Sequence, residues 1–204
     1  DVIAGAANLM KQIENVKAHG VSPVVAINSF PTDHKSEHDA IRKIAEEAGA
    51  RVAVCTHFAD GGAGATDLAN AVVEACNDKN TFHFLYPDEA SLKEKIEKIA
   101  TTIYGAAKVE YTSLANKQIK TYTDNGFAKL PICVAKTHLS ISGDASLRGA
   151  PTGHTLNVRE VRASIGAGFV YPICGDMRTM PGLGTKPAAA IIDFDANGEI
   201  VGLS

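Results

Sequence analysis

Cysteine is sparse in this sequence: Cys55, Cys76, Cys133 and Cys174 are the only four, and no two of them form a C-x-x-C pair. That spacing excludes a C-x-x-C redox or zinc motif. Cys55, Cys133 and Cys174 lie inside apolar runs, so buried free thiols of a cytoplasmic protein are expected. Long apolar runs are missing too. None approaches the ~18–20 residues that a membrane span requires, so no membrane partner is expected. There is no basic excess: 20 Lys and Arg against 23 Asp and Glu give a net charge of −3. With no basic tract to follow a phosphate backbone, nucleic acid is not an expected partner. The chain opens "DVIAGAANLM", with neither a basic start nor an apolar run, so a secretory signal is not expected. It also opens without Met, as a processed chain or a piece of a longer one would.

A phosphate loop is absent as well, although one stretch resembles it in composition. "SIGAGFVYPICGDMRTMPGLGTKPAA" (164–189) sets Gly166, Gly168, Gly175, Gly182 and Gly184 among Pro172, Pro181 and Pro187. A P-loop needs Gly-Lys-Ser/Thr opening a helix, so that backbone N–H groups curl round the phosphates. Here Lys186 follows Thr185, and Pro187 pushes Lys186 out of the helical region. The stretch is therefore not a Walker loop.

What is present is an ordinary globular composition, 45% hydrophobic and 21% charged over 204 residues, enough for one large domain or two small ones. Helical spacing of Leu9, Ile13 and Val16 predicts a helix over 5–19, stopped by Gly20. "PVVAIN" (23–28) and "RVAVCT" (51–56) read as buried parallel strands, with a helix over 36–49 between them. The glycine-rich "ADGGAGA" leads into a helix carrying Leu68, Val72, Val73 and Cys76; "FHFLY" (82–86) is a short apolar run, and an amphipathic helix follows over 90–103. This βαβα order predicts an α/β fold, with a Rossmann-like parallel sheet flanked by helices. After a boundary placed at residue 105, a smaller α+β region (106–204) is expected. It includes "LPICVAKTHLSIS", a strand fading into a loop, and "TLNVREVRASIGAGFVYPICGDM", which alternates as a strand would. A terminal hairpin is expected around Asn197-Gly198.

Two metal motifs compete with blander readings. "HKSEH" (34–38) matches the inverted zinc-protease pattern, with His34 and His38 as ligands and Glu37 as base, which would make the chain a zinc hydrolase. Its polar surroundings at the start of a helix fit a solvated first turn better, and no metal site is assigned. "DFDANG" (193–198) matches the first half of a calcium loop, but the twelfth position is Ser204, where a bidentate Glu is needed. His57, His83, His138 and His154 are scattered, and no G-x-S-x-G elbow marks a nucleophile. No catalytic residue is assigned.

The strand ends carry more. In open parallel sheets, ligands sit at the carboxyl ends of the strands. The first strand ends in "NSFPTD", presenting Asn28, Phe30, Pro31, Thr32 and Asp33; the second in "THFADGGAG", presenting His57, Phe58, Asp60, Gly61, Gly62 and Gly64. If the strands are neighbours, Phe30 and Phe58 share one edge. Two aromatics so placed either sandwich a flat heterocycle or plug the sheet end. The glycines allow backbone N–H groups to approach a ligand.

Five stretches carry a resemblance. "VVAINSFPTD", "CTHFADGGAGA", "LPICVAKTHLS", "PTGHTLNVREVRASIGAGFVYPICGDMRTMPGLGTKPAA" and "IDFDANGEIVGL" occur in this order. Together they resemble the last third of the formate–tetrahydrofolate ligase (10-formyltetrahydrofolate synthetase) family, without its N-terminal P-loop part. The resemblance implies an ATP-driven ligation of formate to tetrahydrofolate through formyl phosphate, with MgATP and tetrahydrofolate as substrates and a monovalent cation such as K⁺. It also implies a cytoplasmic homo-oligomer in which this chain supplies one wall of the cleft and is inactive by itself. By the same resemblance Phe30 falls on a ring-stacking phenylalanine, and Phe58 falls where the family usually has a tryptophan. Asn28, Pro31, Asp60, Gly61 and Gly62 would shape the pocket round a pterin or adenine ring, with pterin preferred. A non-catalytic folate-binding or assembly module is the alternative.

Overall fold

Two five-residue apolar runs form the first sheet. In this computed structural model, which describes residues 2–175 and 190–202, β1 (Val24–Asn28) pairs with β2 (Arg51–Cys55) in parallel, from Val24 opposite Arg51 to Asn28 opposite Cys55. A parallel pair needs a crossover, and α2 (Lys35–Glu47) supplies it. Glu37 fixes the start of α2 by accepting the His34 backbone N–H at 3.3 Å. Alongside α2 lies α1 (Val2–Lys17), and Ile13, Ala45 and Ala50 form a small core with Leu9, Val25, Ala48 and Val52 packed round it.

Beyond β2 the chain makes the four-residue helix α3 (His57–Asp60), a 3₁₀ turn over Gly61–Ala65, and α4 (Thr66–Cys76), which returns along β2. Arg51 ties the end of this return to the start of β2, donating to both carboxylate oxygens of Asp78 at 2.6 and 2.9 Å. Among the described residues, no further strand pairs with the outer edge of β1 or of β2. The apolar run 82–86 forms no strand: the His83 N–H donates to the His19 carbonyl and the Phe82 N–H to Asn80 Oδ1, and Phe82 and Phe84 stay exposed.

The second sheet has the order β3 (Lys108–Tyr111), β4 (Thr155–Ser164), β5 (Phe169–Cys174). β3 runs parallel to β4, and β5 antiparallel to it. The long alternating run expected as one strand is thus folded back on itself through the turn at Ile165–Gly168. Helix α5 (Leu92–Thr102), opened by a reciprocal Ser91–Glu94 capping box, and α6 (Ser113–Asp124), capped by the Thr112 hydroxyl, complete this region. Leu92, Ile96, Ala100, Leu156, Val158, Val161 and Val170 are fully buried together. The apolar face of α5 thus shares a core with residues on the far side of residue 105.

Residues 131–135 run beside β5 without forming a continuous strand. Cys133 and Ala135 donate to the Val170 and Pro172 carbonyls, and Val170 and Cys174 donate back to Pro131 and Ala135. Pro172 lies between those two donors and has no N–H, so the ladder breaks into two isolated bridges, Ile132 to Val170 and Ala135 to Ile173. Lys95 is buried in this region; its ammonium donates to the Ala128 and Leu130 carbonyls at 3.3 and 3.2 Å, which holds the chain entering that segment.

The expected terminal hairpin forms as β6 (Asp193–Phe194) and β7 (Ile200–Val201). Gly198, at φ +80°, closes the turn by donating to the Asp195 carbonyl. The Asp195 carboxylate accepts the N–H groups of Asn197 and Glu199, so one of its oxygens serves the turn. Ser204 lies outside the described residues, as does 176–189 with Pro181, Gly182, Gly184, Thr185, Lys186 and Pro187. Among the described residues no helix is long and apolar enough to cross a membrane.

Candidate functional site

The parallel pairing of β1 and β2 puts their C-terminal loops side by side. Asn28 and Cys55 are opposite one another at the last rung, and Ser29 still donates to the Cys55 carbonyl at 2.9 Å. Beyond that point the loops diverge, each carrying one phenylalanine. The Phe30 and Phe58 rings meet with centroids 5.2 Å apart and planes inclined at 53°. Their exposures of 41% and 69% leave both with open faces.

Phe30 opens a tight turn whose form follows from its sequence. Pro31 presets φ for the second turn position, and the Asp33 N–H closes the turn on the Phe30 carbonyl at 3.0 Å. The Asp33 carboxylate returns the contact, accepting the Phe30 N–H at 2.8 Å. The same oxygen lies 3.3 Å from Nε2 of His38 on the first turns of α2. The Phe30 N–H, then the His38 ring, hold the Asp33 carboxyl below the usual carboxylate range.

Phe58 rides on α3, which a second carboxylate steadies: the Thr56 hydroxyl donates to Asp60 Oδ2 at 2.7 Å. Gly61 ends this helix at φ +60°, ψ −143°, a conformation that a side chain rarely adopts. A Cβ on Gly62 would meet nothing within 4 Å, so its backbone is open to approach. Gly64 is different. Its carbonyl accepts the Thr56 N–H at 2.9 Å, and a Cβ there would lie 2.5–2.8 Å from the Thr56 hydroxyl and carbonyl. At the root of the loop the buried Cys55 Sγ lies 3.0 Å from His57 Nδ1.

Beside the aromatic pair, between α1, β1 and α2, is a cavity of about 480 Å³. Leu9, Val25, Ile27 and Ile41 give it an apolar wall, and Asn28, Asp33, Glu37 and His38 a polar mouth. The "HKSEH" residues are thus engaged otherwise than a zinc site requires: Glu37 accepts at the N-cap, and His38 faces Asp33. Among the described residues no group of three or more His, Cys, Asp or Glu side chains is placed to hold a metal ion.

Across all of residues 1–204 the sequence matches the family model described as Formate--tetrahydrofolate ligase. The chain belongs to this family. The formate–tetrahydrofolate ligase of Saccharopolyspora erythraea is 64% identical over 204 residues, which is 100% of this chain and 36% of that relative. The Cutibacterium acnes ligase is 58% identical over 203 residues (100% of this chain, 36% of the relative), and ligase 3 of Rubrobacter xylanophilus 57% over 212 residues (100% and 37%). The chain therefore spans little more than a third of the length of these formate–tetrahydrofolate ligases.

Of the residues expected at the site, the fold places Asn28 at the last rung of β1, and Phe30, Pro31, Phe58, Asp60, Gly61 and Gly62 on the two segments that follow β1 and β2. His38 and Thr56, which hydrogen-bond Asp33 and Asp60, are not among the residues expected at the site. The Pro-x-Asp spacing after Phe30 carried a turn signal, whereas the reach of His38 back to Asp33 depends on how α2 enters and is invisible in the sequence.

Proposed function

We propose that this chain forms one wall of the substrate cleft of a formate–tetrahydrofolate ligase and that the Phe30–Phe58 pair stacks on the pterin ring of tetrahydrofolate. The observation that carries this reading is the placement of two exposed aromatic rings at the carboxyl ends of neighbouring parallel strands, where open α/β sheets take their ligands. Asn28, Pro31, Asp60, Gly61 and Gly62 shape the walls around the ring. Asp60 does so through the loop it closes with Thr56, since one of its oxygens is already engaged.

In this reading formate attacks the γ-phosphorus of ATP, ADP leaves, and formyl phosphate forms. N10 of tetrahydrofolate then attacks the formyl carbon, inorganic phosphate leaves, and N10 loses its proton to give 10-formyltetrahydrofolate. The reacting phosphates need donors and cations preorganised round them. The sequence has no phosphate loop, so those groups, with Mg²⁺, belong to the remainder of the enzyme, which also uses a monovalent cation such as K⁺. We place the complete enzyme in the cytoplasm as a homo-oligomer.

Calorimetric titration of tetrahydrofolate into the chain, with Phe58→Ala as control, tests the wall. Binding that weakens in the variant supports the aromatic pocket; binding unchanged by Phe58→Ala removes it. A coupled assay of the isolated chain with ATP and formate is expected to show no 10-formyltetrahydrofolate, and turnover there would sink the division of labour. Correct folding with no folate binding, even when the remainder of the enzyme is added, would favour a non-catalytic assembly module.

A further inference from the structure

We propose that Asp33 and His38 act as positioning residues that fix the Phe30 ring for its ligand; this rests on the folate reading above. The geometry forms a chain of contacts from a rigid helix to the ring. α2 is anchored in the first core through Ala45, which is fully buried. From its first turns His38 extends Nε2 to within 3.3 Å of Asp33 Oδ2, and that oxygen accepts the Phe30 N–H at 2.8 Å. The ring is thus two hydrogen bonds from a packed helix, although its own side chain is exposed.

Neither clamp residue needs to touch the ligand. Asp33 is already committed to the Phe30 backbone, and a carboxylate accepting two donors is held in one rotamer. Without His38, Asp33 keeps the local turn, but its carboxylate loses its contact with α2, and the helix then holds the turn only through the N-cap at His34. Phe30 then samples more orientations, and a flat ligand must restrict them on binding. On the opposite loop the Thr56–Asp60 hydrogen bond does the equivalent for Phe58 at 2.7 Å. Glu37, which shares the cavity mouth with Asp33 and His38, is occupied with the His34 N–H, so it does not replace His38.

The test uses the 204-residue chain with His38→Ala and His38→Gln, reading the Phe30 amide proton by NMR and tetrahydrofolate affinity by calorimetry. Gln places an N–H donor at about the reach of Nε2 and is the conservative rescue. In His38→Ala the Phe30 amide proton is expected to move upfield and the Kd to rise about fivefold, the loss of one hydrogen bond's worth of ordering. His38→Gln is expected to restore both. An unmoved Phe30 amide in His38→Ala overturns the clamp. A moved amide with unchanged affinity, while Phe58→Ala still weakens binding, overturns the positioning role. If the wild-type chain binds no tetrahydrofolate even with the remainder of the enzyme added, the folate reading fails, and the amide response still decides whether the clamp exists. Should His38→Ala not fold, Asp33→Asn with the same two readouts decides the matter.

Discussion

Phe30 and Phe58 touch each other: their ring centroids are 5.2 Å apart, within the ordinary range for an aromatic pair. A flat ring inserted between two parallel faces needs roughly 7 Å, twice the contact distance between carbon atoms. The pair is therefore closed, and a ligand must part the rings. Phe58 is the one that can yield, since it is more exposed and sits on a helix of four residues. Phe30 is held through its backbone.

Phe58→Trp tests this directly, and the chain has no tryptophan of its own to obscure the new fluorescence. The wider indole face should raise tetrahydrofolate affinity about threefold, while Phe58→Ala should lower it about tenfold. The emission of the introduced indole should be quenched as the pterin stacks on it. Saturable calorimetric binding with no change in emission would place the ligand elsewhere.

Gly64→Ala probes the loop from beneath. Its new Cβ would press on the carbonyl of Thr56 at 2.7–2.8 Å, and backbone cannot swing aside as a side-chain tip can. The loop must shift, at a cost of about 1–3 kcal/mol. Since α3 grows from Thr56, Phe58 moves with it. Thermal melting and folate titration should both register the change, whereas Gly62→Ala, which meets nothing within 4 Å, should leave the melting temperature unaltered.

The first sheet was legible because each of its elements announces itself locally. "VVAIN" and "RVAVC" are short apolar runs, and a helix-length segment between them forces a parallel pair. Phe30 and Phe58 then had to share an edge. Other features depend on partners the sequence does not name. The apolar face of α5 was visible in its periodicity, but nothing local says that it covers β3 to β5. The run at 82–86 is apolar enough for a strand yet finds no edge to pair with. The glycines at 166 and 168 mark a turn, but the alternation on both sides of it reads as a single strand until β5 folds back. At residues 131–135, Pro172 of the neighbouring strand interrupts the ladder, so the break is caused by a residue nearly forty positions away.

Asp78→Asn should lower stability at neutral pH and flatten its dependence on acid. Hydrogen bonds from Arg51, then Ser22, hold the Asp78 carboxyl down to about 2, against 3.8 for a free aspartate. A depressed carboxylate contributes stability that is complete above the unfolded value and is lost as pH falls through the folded one. In the wild type that loss therefore runs from about 3.8 towards about 2. The Asn variant lacks this contribution at neutral pH and has none to lose in that window. Urea midpoints at pH 7 and pH 3 should show the variant less stable at the upper pH, with the difference narrowing at the lower. A gap that stays constant with pH would mean the Arg51–Asp78 contact does not govern the linkage.

Lys95 offers the opposite linkage. Burial lowers its pKa from the ordinary 10.5, and Asp88 and Glu89 only partly oppose this. In the window between the folded value and 10.5 the unfolded chain binds more protons than the folded one, so stability should rise with pH there. At neutral pH the ammonium nevertheless matters, because it satisfies two carbonyls, Ala128 and Leu130, beside the core. Lys95→Met keeps most of the volume and removes both donors, which should cost about 1–3 kcal/mol at pH 7. The variant should also lose the alkaline gain, since no proton remains to be released. Urea unfolding of both proteins at pH 7 and pH 10 checks the two effects together. A methionine variant as stable as wild type at pH 7 would mean that relief of the buried charge matches the hydrogen bonds lost, and that Lys95 is tolerated in this core without stabilising it.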